Sequence, residues 1–137
     1  MFLDVLQERN KEMFLKVCVS AAAPDRSLTE KEKEALKVCC RRLGVAEHIP
    51  QSSDDAAGII ARMAAQADVP ERRAMALGIL AFVRIGGCTD GKSGLIDGLA
   101  EGLEIGKDTA YRLDFLLELC ASASREMRRT VFGWGIT

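Results

Sequence analysis

Histidine, tyrosine and tryptophan each occur once and proline three times in this chain of 137 residues. The lone histidine, His48, has no nucleophile pattern near it, so no general-base arrangement can be built around it. Aromatic residues make up only 5%. A net charge of −1 supplies no basic surface to displace counterions from a polyphosphate backbone, which speaks against a nucleic-acid partner. The longest apolar run, residues 74–83, is half a membrane span and fits a buried helix, so no membrane insertion is expected. Residues 1–5 carry neither a basic start nor a long apolar core, and we expect no signal peptide. No stretch alternates as a strand does.

Five cysteines are present, Cys18, Cys39, Cys40, Cys88 and Cys120, and none forms a C-x-x-C pair. Structural zinc needs close ligand pairs, so zinc is not expected. Most of these cysteines occupy positions suited to a small apolar side chain. We read them as reduced core residues, which points to a cytoplasmic location.

Helix formers dominate what remains. Residues 2–23 carry apolar groups at three- and four-residue steps (Leu3, Leu6, Met13, Phe14, Val17), with a break expected near Asn10. Thr29 followed by Glu32 is a capping box that opens a helix ending at Gly44, with Leu36, Cys39, Cys40 and Leu43 as its buried stripe. Ser52 or Ser53 is expected to cap a helix bearing Ile59, Ile60, Met63 and Ala67. Pro70 suits the first turn of the next helix, which carries the apolar run. Thr89 caps a helix whose stripe is Leu95, Ile96, Leu99 and Leu103, stopped by Gly106. Asp108 or Thr109 then caps a further helix, whose apolar residues are Tyr111, Leu113, Phe115, Leu116, Leu119 and Cys120. Ser122 or Ser124 opens a last short helix to about Phe132. The tail holding Trp134 and Ile136 offers either core packing or an apolar patch for a partner, so a protein partner or self-association is expected.

A shift of sixty residues brings the halves into register without gaps. Leu15 falls on Met75, Val17 on Leu77, Val19 on Ile79, Leu36 on Ile96, Leu43 on Leu103 and Val45 on Ile105. We therefore expect a single all-α domain over residues 1–137, of about seven helices. It would be built from two related helical hairpins, 13–45 and 73–105, packed together.

Residues 86–93 satisfy G-x-x-x-x-G-K-[ST], the phosphate-cradling loop of many nucleotide hydrolases. Gly86 and Gly91 would free the backbone, Lys92 would reach the outer phosphates and Ser93 would hold magnesium. Only 44 residues follow Ser93, too few for the parallel sheet this loop serves. We read the octet as a turn between two packed helices and keep nucleotide or phosphate binding as the alternative.

The segment Ala22-Ala23-Pro24-Asp25-Arg26-Ser27-Leu28-Thr29-Glu30-Lys31-Glu32 resembles the signature turn of the tellurite-resistance TerB-like family. Asp25 matches the aspartate of that pattern, Leu28 its apolar position, Thr29 its cap and Glu32 its glutamate. Arg26 stands where the pattern has glycine. In the second half Ile85 and Lys92 stand at the aspartate and glutamate positions. The resemblance implies an all-α, non-catalytic stress-response module. It also implies a divalent cation such as calcium at an acidic cluster, here Asp25, Glu30 and Glu32, with Asp90 as a further candidate.

Overall fold

The structure is a computed structural model that describes residues 2–87 and 92–133. Among the described residues there are six α-helices, one 3-10 turn and no strand, so the fold is all-α. The 3-10 turn spans Leu3–Val5, and the helices are α1 (Glu8–Ala22), α2 (Glu30–Leu43), α3 (Ala56–Ala65), α4 (Val69–Ile85), α5 (Lys92–Gly102) and α6 (Lys107–Phe132). No described helix is long and apolar enough to cross a membrane.

The core forms around α1 and α4. Helix α1 packs on α3 and α4, and α4 also meets α6, α2 and the 3-10 turn. Phe14, Leu15 and Cys18 from α1, and Met75, Ile79 and Leu80 from α4, are almost fully buried. Gly78 allows the close approach: a methyl group there would stand 2.7 Å from Phe14 Cζ. Burial of Cys18 pushes its thiol pKa well up and keeps it neutral. The helices expected to form hairpins, α1 with α2 and α4 with α5, touch one another only slightly. Positions sixty apart nevertheless share their environment. Leu15 and Met75, Val17 and Leu77, Val19 and Ile79, Leu36 and Ile96, and Leu43 and Leu103 are all buried. The Val45 N–H donates to the Cys40 carbonyl, and the Ile105 N–H to the Ala100 carbonyl.

Most punctuation agrees with its chemistry. Thr29 accepts from the Glu32 N–H, Glu32 accepts from the Thr29 N–H, and Gly44 closes α2 with a left-handed φ of 73°. Asp68 caps α4 with Pro70 in its first turn. Four expectations are corrected. The chain breaks at Leu6 and Gln7, before Asn10, because the Gln7 N–H donates to buried Glu71 at 2.8 Å and holds that residue extended. Helix α3 is capped by Asp55, which accepts from the Gly58 N–H, while Ser53 Oγ accepts from the Asp55 N–H. Helix α6 starts after Gly106 without a side-chain cap. It then runs unbroken for 26 residues, through Ser122 and Ser124. The Thr89 cap and the Trp134 and Ile136 tail lie outside the described residues.

Candidate functional site

The acidic turn joins α1 to α2. Glu32 is fully buried at the third position of α2, and both of its oxygens are engaged. Arg26 grips it in fork geometry, Nη1 to Oε1 at 2.7 Å and Nη2 to Oε2 at 2.9 Å. The Thr29 N–H donates to Oε1 at 2.8 Å. The Arg26 bonds, joined by those of Thr29, hold the Glu32 carboxyl down at about 2, well below the usual carboxylate range. Glu30 is exposed and lies 3.5 Å from Lys33 on its own helix. Asp25 is exposed in the turn. The turn therefore presents one buried carboxylate already matched by a guanidinium, and two carboxylates facing solvent. Among the described residues no group of three metal-ligating side chains is gathered.

The glycine turn lies against this pair. A Cβ at Gly86 would stand 2.6 Å from Glu32 Oε2 and 3.4 Å from Arg26 Nη2. The missing side chain of Gly86 is thus used by the ion pair. Residues 79–85 are the last two turns of α4, so no strand leads into the glycine turn. Gly91 lies outside the described residues. Ser93 is exposed in the first turn of α5, and Lys92 Nζ lies 3.1 Å from Asp114 Oδ2. Asp114 also accepts from Arg84 at 3.3 Å, and Arg84 reaches Glu118 at 2.8 Å. Hydrogen bonds from Arg84 and Arg125 hold the Glu118 carboxyl below its ordinary range. This chain of charges ties the end of α4 to the start of α5 and the middle of α6.

A second buried carboxylate was not foreseen. Glu71 accepts from the Gln7 N–H and from Asn10 Nδ2, both at 2.8 Å, and Asn10 is itself fully buried. Its polar chemistry locks the start of α1 to the start of α4 across 61 positions. No local pattern announces such a contact. His48, far from Glu71 in sequence, is exposed and bridged on both ring nitrogens, to the Ala46 carbonyl at 2.8 Å and to Glu12 at 2.8 Å.

Most apolar residues of α6 are left uncovered. Of those read from the sequence, only Leu113 is half-buried. Tyr111, Phe115, Leu116, Leu119 and Cys120 are exposed, and the buried residues are Ala110 and Leu117. The reason is geometric. The side of α6 that meets α4 and α5 is a narrow strip, and this helix has more apolar residues than the strip accepts. From Ser122 to Gly133 every residue is exposed. Comparison with family models, curated proteins and solved structures finds no match for this chain.

Proposed function

We propose that this chain is a non-catalytic helical association module, of the TerB-like stress-response type that its acidic turn resembles. It works by pairing the exposed face of α6 with a second copy. The observation that carries the reading is the row Tyr111, Phe115, Leu119, Ala123, Met127 and Val131, spaced every four residues along one exposed helix. Rows of this spacing are the ridges that interdigitate when two helices pack. Tyr111, Phe115, Leu116, Leu119, Met127 and Val131 are each 39–74% exposed. Together they offer roughly 600 Å² of apolar surface, the upper end for a monomer. With the polar rim included, this approaches the ~800 Å² that a stable interface takes from each partner.

Charge favours an antiparallel second copy as the occupant. The far half of α6 carries Arg125, Arg128 and Arg129 against Glu126 and is net positive, and the near half carries Asp108, Asp114 and Glu118 against Lys107 and Arg112 and is slightly net negative. Antiparallel pairing sets these against each other, whereas parallel pairing stacks arginine on arginine. Cys120 lies close to the midpoint of the helix, so the two copies of this exposed thiol come near one another. The test is sedimentation equilibrium of the wild type and of Leu119→Glu. The expected result is a mass that rises to twice the chain mass for the wild type and stays at one for the variant. A single-chain mass for both at about 100 μM would reject the reading.

A further inference from the structure

Helices α2 and α4 and the 3-10 turn leave a trough between them. It has a volume of about 310 Å³, and its walls include Leu3, Val38, Gly78, Phe82 and Ile85, with Arg42 at one end. A second hollow of about 490 Å³ shares Ala35, Val38 and Ile85 with it and continues to Lys31. On α2 the residues along this line are Lys31, Ala35, Val38 and Arg42, spaced four, three and four apart. They form one stripe, exposed except at half-buried Ala35 and about 16 Å long at 1.5 Å per residue. Sites that hold small apolar ligands have this character, an apolar wall with a few placed polar groups.

We infer that this trough binds a free single-chain amphiphile, its aliphatic tail lying along α2 and α4 and its anionic head on Arg42. The two ends differ in charge. At the Lys31 end Glu30 and Glu34 also line the hollow, so that end carries no excess of positive charge. No acidic residue lines the trough beside Arg42. Arg42 forms no ion pair or hydrogen bond among the described residues, so its guanidinium fork is open to a carboxylate. It stands in the last turn of α2, where the helix end carries about half a negative charge; Arg41 beside it is paired with Glu47 at 3.4 Å, and the full charge of Arg42 outweighs the helix end. The wall is neutral: Cys39 lines it, and burial raises its thiol pKa. The exposed end of α6 does not suit this trough, because Arg125, Arg128 and Arg129 would approach Arg42 with like charge.

The test is calorimetric titration with dodecanoate below its micelle-forming concentration, with dodecyltrimethylammonium as the charge-reversed control. One dodecanoate per chain is expected, with no saturable binding of the cationic homologue. Arg42→Gln should weaken dodecanoate about tenfold or more, the worth of a charge-assisted hydrogen bond. Val38→Glu places a charge on the trough wall at a half-exposed position that the fold tolerates, and should abolish binding. Equal affinity for wild type, Arg42→Gln and Val38→Glu would place the amphiphile elsewhere, on α6 for instance, and overturn the inference. So would a preference for the cationic homologue, or no saturable binding of dodecanoate.

Discussion

A single departure from a motif decides the chemistry of the acidic turn. Where the TerB-like pattern has glycine, this chain has Arg26, and the guanidinium occupies both oxygens of buried Glu32. Arg26 is partly exposed and keeps its bonds to the Ala22 and Ser27 carbonyls, so the substitution costs the charge-assisted bonds to the buried carboxylate alone. Glu32→Gln is therefore expected to cost about 2 kcal/mol in urea unfolding, with a midpoint lower by about 6 °C. Because the folded carboxyl sits at about 2, below its ordinary 4.5, its contribution is fully present above pH 4.5 and is lost as the pH falls toward 2. A flat stability profile across that range would contradict this. Calcium must displace Arg26 to reach Glu32, so excess calcium is expected to leave the wild-type unfolding midpoint unchanged. A rise of several degrees would return Asp25, Glu30 and Glu32 to the centre of the account.

His48 gives a second residue-scale prediction, of opposite sign. Its bond to the Ala46 carbonyl, then its bond to Glu12, raise its pKa above 6.5. Its stabilising effect is present below pH 6.5 and disappears as the pH rises through the folded pKa. As the only histidine, its proton resonances titrate without overlap. The midpoint is expected above 6.5 in the wild type and closer to that value in Glu12→Gln.

At the scale of elements, local chemistry was legible and long-range chemistry was not. The capping box at Thr29 and Glu32, the terminating Gly44 and the opening Pro70 each follow from groups within one turn, and each is where the sequence places it. The break at Leu6 and Gln7 depends on Glu71, which has no local signature. Ser122 and Ser124 suggested a new start because serine caps helices well, yet a helix already propagating passes through serine at small cost. The glycines of α4 and α5 offer a direct check of packing against propensity. Gly98 has open space around the position a Cβ would take, and Gly98→Ala should stabilise by up to about 1 kcal/mol. Gly78→Ala gains the same propensity but drives a methyl group into Phe14, and a net loss of about 1–3 kcal/mol is expected. Thermal unfolding of the two variants tests the pair: equal shifts would contradict the close approach of α1 and α4.

At the scale of the whole molecule, composition and periodicity led to an all-α domain, and that is what forms. The buried positions of α1, α2 and α4 were largely readable, since α2 has one apolar stripe and the apolar runs of α1 and α4 are received by several neighbours. Helix α6 marks the limit of such reading: periodicity reports that apolar residues recur along a helix, without saying whether the same chain covers them. The site follows the same logic. Asp25, Glu30 and Glu32 are neighbours in sequence, but the burial of Glu32 apart from the two exposed carboxylates, and the role of Arg26 in occupying it, appear only in three dimensions.

The central claim is that a second copy covers the outer face of α6. Among the described residues, 122–131 at the end of α6 are all exposed, and the end of a helix with little packing opens readily. Amide hydrogen exchange of this segment, followed over about 1–200 μM protein, tests the claim most directly. The account predicts exchange that slows as concentration rises, and fast exchange at every concentration in Leu119→Glu. Fast exchange in the wild type at all concentrations, or protection that Leu119→Glu leaves intact, would contradict it.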